Sequence, residues 1–233
     1  MRQQLSAQIE PFGDTAVLIR WQQIIDPIVN AQVCALAADL GEHPLAGVLE
    51  LVPSYSSLAV LLEPGFAAAD ELIARLRERL DQLEVSDDES ARRLITVPVC
   101  YGGPEASDLR EVSERTGLAL EEVIARHTAP EYRVAMLGFL PGFPYLMGLD
   151  PRLSVARKLT PRVWVPAGSV AIGGSQTGIY PCESPGGWQI IGRTAAVLFD
   201  ARSRPPALFC PGDRVRFRPI SAKELPLAKV QIQ

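Results

Sequence analysis

Apolar residues recur at strand-like and helix-like spacings through the first 84 residues of the chain. Three short apolar runs, at residues 15–20, 48–52 and 57–62, have the length of single strands, and a turn-like Pro-Ser-Tyr-Ser segment joins the last two. Two longer segments repeat apolar residues every three or four positions, which predicts two helices.

Local signals mark the ends of these helices. Asp26 followed by Pro27 is typical of an N-cap and a first helical position, and Gly41 predicts the stop of the same helix. The second helix, over residues 67–83, carries one apolar stripe for a core. The order strand–helix–strand–strand–helix predicts a small ferredoxin-like α+β domain over residues 1–84.

An acidic, serine-containing stretch follows, and it predicts a linker over residues 85–93 because it has little apolar surface to bury. The next segments with regular periodicity are two strands, at 94–99 and 132–137, and two helices, at 108–115 and 120–127. Asp108, with Glu111 three positions later, resembles a capping box at the start of the first of these helices.

The amino-acid composition of the chain changes between residues 138 and 192. This window of 55 residues holds 10 of the 18 glycines and 7 of the 20 prolines, and the apolar runs within it are short. Many short strands with Gly/Pro turns predict a β-barrel or a sandwich. Over residues 214–218, arginines alternate with Val215 and Phe217; this predicts a strand with its apolar residues inward, and an anion-binding face is the alternative.

Composition and charge argue against several classes of protein. The chain has 233 residues, 47% of them hydrophobic, and a net charge of −4 without a long basic block, so nucleic-acid binding is not expected. No apolar run is long enough for a membrane span, and the N-terminus lacks the apolar core of a signal peptide. The four cysteines are scattered, which favours reduced thiols in a cytoplasmic protein, with disulfide pairing as the alternative.

Several common catalytic and cofactor motifs are missing from the sequence. Only two histidines occur, and they are far apart, so a histidine-based metal site is not expected. The sequence contains no G-x-S-x-G nucleophile elbow, no G-x-x-x-x-G-K-[ST] phosphate loop and no G-x-G-x-x-G dinucleotide fingerprint. A nucleophile, a metal ligand set and a standard nucleotide site are therefore not predicted for this chain.

Two Gly/Pro-rich loops offer other chemistry. Residues 173–178, Gly-Gly-Ser-Gln-Thr-Gly, combine backbone N–H groups with an amide and two hydroxyls, which suits a bound carboxylate, amide or phosphate; a tight hairpin is the alternative. Phe139, Phe143 and Tyr145 alternate with prolines and glycines on a stiff loop suited either to docking or to packing over a barrel mouth. Trp188 is either a core residue or a contact anchor.

Three ionisable side chains near these loops are further candidates. His127 ends a predicted helix, so helix capping, a dipole interaction and catalysis are all open to it. Arg162 and Arg193 have two interpretations, pairing with a substrate carboxylate or solvation at the surface.

The strings in this window form a recognisable set: GFLPGFPYL at 138–146, PR at 161–162, VPAGSV at 165–170, QTGIYP at 176–181, SPGGW at 184–188 and IGRT at 191–194. Further strings are FGD at 12–14, VPSY at 52–55 and VPVCY at 97–101. Together they resemble the family of the 5-oxoprolinase B subunit, which also includes the sporulation kinase inhibitor and allophanate hydrolase subunit 1. The resemblance extends over nearly the whole chain.

The resemblance implies a fold, partners and an activity. The fold would be α+β, with the small ferredoxin-like domain followed by a cyclophilin-like β-barrel domain over residues 94–233. The chain would act with two other 5-oxoprolinase subunits, one C-type and one A-type. Their complex would be an ATP-dependent cyclic-amide hydrolase, active only as a complex, that cleaves the lactam 5-oxo-L-proline to L-glutamate with ATP bound together with the partner subunits.

The loops and the resemblance together give a set of candidate residues. Candidates for catalysis, which would stabilise charge on an activated lactam oxygen, are Gln176, Thr177, Arg193 and His127. Candidates for substrate binding are Gly174, Gly178, Arg162, Ser169 and Tyr180. Candidates for partner binding are Phe139, Phe143, Tyr145 and Trp188. Relatives leave two other functions open: a regulator that binds and inhibits a sensor histidine kinase, and a component of allophanate or urea degradation.

Overall fold

The residues described by the computed structural model are 6–66, 68–85 and 92–233. Contacts along the chain group it into two units, Met1–Glu89 and Ser90–Gln233. Residues 86–91 of the predicted linker lie outside the described residues, as does Ala67 at the start of the second predicted helix.

The first unit is an antiparallel sheet packed against two helices. Its described elements are β1 (Gln8–Pro11), β2 (Ala16–Arg20), α1 (Pro27–Glu42), β3 (Val48–Pro53), β4 (Ser57–Leu62) and α2 (Ala69–Asp81). The strands lie in the order β1-β2-β4-β3. From β2 onward this is the predicted order of elements. The sequence pattern missed β1, a short polar strand that forms a hairpin with β2 and occupies the edge that a final strand fills in a β-α-β-β-α-β motif.

The two ends of α1 have different outcomes. The Asp26 carboxylate accepts hydrogen bonds from the backbone N–H groups of Ile28 (2.8 Å) and Val29 (3.0 Å), so the predicted N-cap is confirmed. The predicted stop at Gly41 is wrong, because the helix continues to Glu42 and His43 is its C-cap. Gly41 does not adopt the left-handed φ that a glycine stop uses.

Alternate residues of β2 and β4 face the helices and form the core of the first unit. These strand residues are Val17, Ile19, Leu58, Val60 and Leu62. From α2, the predicted apolar stripe is buried at Leu72, Ile73, Leu76 and Leu80. The alternate residues of the strands and the apolar stripe of the helix therefore pack into one apolar layer, as the sequence pattern predicted.

The second unit carries two helices and ten strands among its described residues. In chain order they are β5 (Leu94–Cys100), α3 (Leu109–Thr116), α4 (Leu120–Thr128), β6 (Tyr132–Leu137), β7 (Pro144–Met147), β8 (Arg162–Val165), β9 (Ser169–Gly173), β10 (Gln176–Ile179), β11 (Ser184–Gly186), β12 (Gln189–Arg193), β13 (Arg214–Ile220) and β14 (Gln231–Ile232). Short 3-10 turns lie at Gly103–Ala106, Pro151–Leu153 and Leu225–Leu227.

Seven of these strands close into a barrel in the order β12-β9-β10-β7-β6-β13-β5. The closure is the pairing of Arg193 in β12 with Cys100 in β5. β8 and β11 form a separate two-stranded ribbon. The prediction of an α+β fold, with a small sheet-and-helix unit ahead of a β-barrel, is confirmed. Because the sheet closes on itself through β12 and β5, the second unit is a barrel and not a sandwich.

Two barrel strands show how far a sequence pattern predicts burial. In β13, Val215 and Phe217 are buried while Arg216 and Arg218 are exposed, so the predicted alternation is confirmed. Residues 94–99 were expected to alternate, yet every position of β5 is buried. The reason is that β5 pairs with β13, β12 and β14 and is enclosed along its whole length.

The barrel wall between β7 and β12 has an apolar core on each face. Val170, Ile172, Ile179, Ile191 and Leu146 point into the barrel. The outer face packs a second cluster, formed by Phe143, Val165, Ala171, Tyr180, Trp188 and Ile190. Glycines occupy outward positions where a ring lies on the backbone. A Cβ at Gly178 would lie 2.9 Å from the Phe143 ring, and one at Gly173 would lie 2.5 Å from the Trp188 ring.

We expect Gly178→Ala to destabilise the fold by about 1–3 kcal/mol, because the added methyl meets both the Phe143 ring and the Pro144 carbonyl oxygen. The free energy of unfolding from urea titration tests this. Gly102→Ala is the matched control, since a Cβ there has no neighbour within 4 Å and the change should stay within about 0.5 kcal/mol. Equal effects of the two substitutions would contradict the packing role of Gly178.

Candidate functional site

Four aromatic residues predicted to bind a partner lie together on the outer face of the barrel. Phe143 is central, with ring centroids 4.9 Å from Tyr145, 5.6 Å from Trp188 and 5.7 Å from Phe139. Tyr180, predicted to bind substrate, joins the group 5.2 Å from Phe143. We call these five residues the outer aromatic cluster. Phe143 and Trp188 are buried core residues, Tyr145 is half-buried, and Phe139 is 60% exposed.

Phe139 is held in an unusual backbone conformation. Its φ is +68°, and the backbone N–H of Leu140 donates a 2.8 Å hydrogen bond to the carbonyl oxygen of Gly138. This is a γ-turn with a positive φ at its centre, which is rare and strained for a residue with a side chain. Such strain persists where the surroundings impose it and is concentrated at functional sites. Phe139 thus combines strain with exposure of a large apolar ring.

The 173–178 loop is a tight hairpin between β9 and β10. Gly173 pairs with Gln176, so Gly174 and Ser175 form the turn, with Gly174 at φ +66°. The Gly174 N–H donates to the Val155 carbonyl oxygen at 2.8 Å, and β10 pairs with strands on both sides. The hairpin alternative therefore describes this conformation. A donor role for these backbone amides stays a prediction, and it requires β10 to release bonds that it makes here.

Gln176 and Thr177 point to opposite sides of the barrel wall. Gln176 is the cross-strand partner of Gly173, against which the Trp188 ring packs, so its side chain lies on the outer face beside Trp188. Thr177 pairs with the inward-facing Ile172 and is fully buried in the barrel. Successive residues of a strand alternate in this way, and these two catalytic candidates are consequently separated by the wall.

His127 and Thr177 are brought together inside the barrel. The Thr177 hydroxyl donates to the Ala171 carbonyl oxygen at 3.0 Å, so it accepts from His127 Nε2–H at 2.9 Å. The Tyr101 hydroxyl lies 2.8 Å from His127 Nδ1 and donates to it. The Tyr132 hydroxyl donates to the His127 carbonyl oxygen at 2.7 Å. Every polar atom of the His127 side chain is satisfied by these bonds.

Burial determines the charge state of this network. It lowers the pKa of His127 to about 3 and raises the pKa of Tyr101 well above its usual value. His127 is therefore neutral at pH 7, and its ring stacks on Phe217 at 4.7 Å. A neutral imidazole pointing into the core makes no charge–dipole interaction with α4. Contact with a substrate would require the barrel to open.

A charged cluster anchors the β8 ribbon to α3. The Asp108 carboxylate is paired with Arg162, lies 3.1 Å from Lys158 Nζ, and accepts a 2.7 Å hydrogen bond from the Ile190 N–H. Lys158 also binds Glu111 at 2.6 Å and lowers the pKa of that carboxyl. The predicted capping box is wrong: the Asp108 carboxylate makes no hydrogen bond to the helix, because these tertiary partners occupy its oxygens.

The remaining predicted residues also have partners within this unit. Arg193 is bound to Glu105 at 2.9 Å and to the Ala167 carbonyl oxygen at 3.0 Å. The buried Ser169 hydroxyl donates to the Pro166 carbonyl oxygen at 2.7 Å. The backbone of Gly178 is covered by the Phe143 ring. Their roles toward a substrate stay predictions, and each has a packing or pairing role in the fold.

Comparison with known proteins adds a family to this geometry. Residues 7–209 match the family described as the carboxyltransferase domain, subdomain C and D. The chain belongs to this family. It is 44% identical over 227 residues to the B subunit of 5-oxoprolinase from Bacillus subtilis, covering 93% of this chain and 94% of that one. It is 45% identical to the 5-oxoprolinase B subunit of Haemophilus influenzae, covering 90% of this chain and 96% of that one.

Longer proteins share parts of the family domain. The crystal structure of TTHA0988 superposes with a TM-score of 0.77 at 40% identity, covering 89% of this chain and 40% of that one. Urea amidolyase of Saccharomyces cerevisiae is 35% identical over 122 residues, which are 49% of this chain and 7% of that one. The expected resemblance to the family of the 5-oxoprolinase B subunit is confirmed.

Two contacts near the outer aromatic cluster were not predicted from the sequence. Asp108 was assigned a local capping role, although it joins α3, β8 and β12 through long-range bonds. Arg157 was not singled out, yet its guanidinium carbon lies 5.3 Å from the centroid of the Trp188 ring. Neither role has a sequence signal, because both depend on residues brought close by the fold.

Within residues 6–66, 68–85 and 92–233, no three acidic, histidine or cysteine side chains are grouped so as to hold a metal ion. In the same ranges, no helix is long and apolar enough to cross a membrane.

Protonation of His127 should make folding stability depend on pH. Its pKa is about 3 in the folded chain and about 6.5 when unfolded, so the unfolded chain binds more protons between these values. Stability should therefore fall as the pH drops below about 6.5, by up to about 1.4 kcal/mol per pH unit from this group. We expect His127→Gln, which keeps one donor and one acceptor, to remove this part of the slope.

The measurement is the free energy of unfolding from urea titrations between about pH 7 and pH 5. The other histidine supplies a control for the substitution itself: His43 has a largely exposed side chain, and His43→Gln should change the free energy of unfolding at pH 7 by no more than about 0.5 kcal/mol. If the slopes of the His127→Gln variant and the unmodified chain were the same, the neutral buried imidazole would be ruled out.

Proposed function

We propose that this chain is the B-type subunit of a 5-oxoprolinase, acting with A-type and C-type partner subunits to open 5-oxo-L-proline to L-glutamate at the expense of ATP. The observation that carries the proposal is the 44% identity to a 5-oxoprolinase B subunit, which extends over 93% of this chain and 94% of the relative. Because the match extends over nearly the full length of both chains, it favours the same role for both proteins and not merely one domain in common.

The closed barrel supports an active site that is completed by another chain. Its interior is filled by apolar side chains and the neutral His127 network, so a polar substrate has no space there. Among the predicted catalytic residues, Gln176 and Arg193 lie outside this interior. The outer aromatic cluster and its surroundings are therefore the surface to which we assign the chemistry.

The described residues around the outer aromatic cluster do not fit a bound ATP. A triphosphate requires several unpaired cationic side chains or a loop of free backbone N–H groups. Near the outer aromatic cluster, Lys158 and Arg162 are neutralised by Asp108 and Glu111, and Arg193 is paired with Glu105. We therefore assign ATP to the partner subunits, as the sequence resemblance implied.

Phe139 supports docking of a partner on this face. Two members of the outer aromatic cluster back its ring, with edge-to-face contacts at 5.7 Å to Phe143 and 6.3 Å to Tyr180. A rigid aromatic side chain on a fixed turn loses little entropy on binding, which is typical of an interface anchor. In the proposed complex Phe139 contacts the C-type partner, while Phe143 and Tyr180 hold its ring in place from below.

The activity is tested by reconstitution. This chain is combined with its A-type and C-type partners, and ADP and glutamate are measured with 5-oxo-L-proline and ATP. We expect both products to form in equal amounts in the complete mixture, and neither when any one protein or substrate is left out. A complete, folded complex without ATP hydrolysis dependent on 5-oxo-L-proline would overturn the proposal.

The docking role of Phe139 has a separate test. We expect Phe139→Ser to weaken association with the C-type partner by about tenfold or more, as loss of an aromatic anchor does. Isothermal titration calorimetry gives the dissociation constant. Leu227→Ser is the control, since Leu227 is an apolar residue of even higher exposure at 82%. Equal effects of both changes would remove Phe139 from the interface.

Urea degradation is the second candidate, favoured by the 35% identity to part of a urea amidolyase. In that case the complex would turn over urea or allophanate in place of 5-oxo-L-proline. The same reconstituted mixture, supplied with urea, bicarbonate and ATP, distinguishes the two by which substrate supports ADP formation.

A further inference from the structure

We propose that Arg157 and Gln176, which both lie beside the Trp188 ring, form a recognition site for a small lactam carboxylate. The guanidinium would bind the carboxylate and the carboxamide would bind the lactam amide. The inference rests on the proposed function for the identity of the ligand. The site itself rests on the contacts around Trp188.

Arg157 is a cation without an anionic partner among the described residues. Its side chain lies over the Trp188 ring, with 5.3 Å between the guanidinium carbon and the ring centroid. Within the described ranges, no carboxylate lies within 4.0 Å of it, whereas the neighbouring Lys158 and Arg162 are both paired with Asp108. Stacking on an aromatic face orients the planar guanidinium and leaves its N–H donors available to a carboxylate.

The backbone on both sides of Arg157 is fixed. The Ala156 carbonyl oxygen accepts from Gln189 Nε2 at 3.2 Å and from Arg115 at 3.1 Å. The Lys158 N–H donates to the Gly187 carbonyl oxygen at 2.7 Å. Arg157 therefore projects from an anchored segment, and little backbone entropy is lost when a ligand binds its guanidinium.

Gln176 supplies a polar group of matching chemistry. The residue is only 9% exposed, its side chain lies on the outer face beside Trp188, and within the described part of the chain its carboxamide makes no hydrogen bond. A carboxamide that makes no bond within the described chain keeps its two donors and its acceptor available to a ligand. The amide of a five-membered lactam is cis, so its C=O and N–H lie side by side. A primary carboxamide can donate to the first and accept from the second.

Two phenols border the same space. Burial raises the pKa of Tyr145 and of Tyr180, and the positive charge of Arg157 opposes the shift in both. The guanidinium is thus close enough to both hydroxyl groups to act on them through its charge. Aromatic walls that hold the Arg157 cation and the Gln176 amide suit a compact, partly apolar anion.

The test uses three ligands that carry different parts of the proposed pattern: 5-oxo-L-proline has both groups, 2-pyrrolidinone has the lactam alone, and cyclopentanecarboxylate has the carboxylate alone. Binding is measured by calorimetry on the full chain and on the reconstituted complex. We expect Arg157→Gln to weaken the binding of 5-oxo-L-proline and cyclopentanecarboxylate by about 10- to 100-fold and to leave the binding of 2-pyrrolidinone unchanged. Gln176→Leu should weaken the binding of the two lactams, 5-oxo-L-proline and 2-pyrrolidinone, and leave the binding of cyclopentanecarboxylate unchanged.

Two further variants control for charge and shape. Arg157→Lys keeps the charge without the planar stacked fork, so binding should be intermediate. Arg110→Gln removes an exposed arginine from α3 and should change nothing. In the complex, Arg157→Gln should raise KM with little change in kcat, because the carboxylate contact is made in both ground and transition states. Thermal melts confirm that each variant is folded.

The outcomes separate this inference from the proposed function. If the complex turns over 5-oxo-L-proline and Arg157→Gln behaves like Arg110→Gln, the site is wrong and the function stands. If the complex is inactive but ligand binding depends on Arg157 and Gln176 as described, the function is wrong and the site stands. If Arg157→Gln weakens partner association and leaves KM unchanged, Arg157 binds the partner and the inference fails.

Discussion

The wall of the barrel between β7 and β12 is a single sheet with an apolar core packed against each of its two faces. Alternate residues of β9 and β10 must therefore satisfy two different packings at once. Apart from Thr177, the inward positions carry branched aliphatic residues. Apart from Gln176, the outward positions are small, and at Gly173 and Gly178 they admit aromatic rings directly onto the backbone. The outer aromatic cluster exists because of these glycines, and it in turn fixes Phe139 and provides the ring on which Arg157 lies. A side chain added at either glycine would displace the whole outer layer.

Closure of the barrel has a second consequence, for where chemistry is available. His127, Tyr101 and Thr177 are sealed within it and satisfy one another, so they specify a unique core without carrying charge. An imidazole of this kind is a structural group. Polar groups that can act on a ligand lie on the outside of the same wall, where an apolar platform is exposed to a partner. In the proposed complex, another chain would exclude water from this surface.

Charge pairing on the outer face is selective. Asp108 accepts bonds from three groups on different elements and fixes the β8 ribbon, which covers the aromatic cluster. Lys158, Arg162 and Arg193 are committed to carboxylates. Arg157 has an aromatic face as its support and, within the described part of the chain, no paired anion. Lys158, Arg162 and Arg193 therefore hold the fold together, whereas Arg157 is free of such a pair among the described residues. No pattern in the sequence distinguishes Arg157 from the other three cations.

Local and periodic features were predicted from the sequence because their causes lie within a few residues: the Asp26 cap, the stripe of α2, the alternation of β13 and the order of elements from β2 to α2. The Gly/Pro-rich window also marked the region that holds the candidate site. Tertiary structure decided the rest. It placed Gln176 and Thr177 on opposite faces of one wall, turned Asp108 from a helix cap into an anchor for β8, enclosed β5 on every side and set Arg157 over Trp188. Each of these depends on contacts between residues distant in sequence, which no local pattern encodes. Local patterns thus predicted the order of elements from β2 to α2 and the family, whereas closure of the barrel decided which side chains are sealed in the core and which stay accessible.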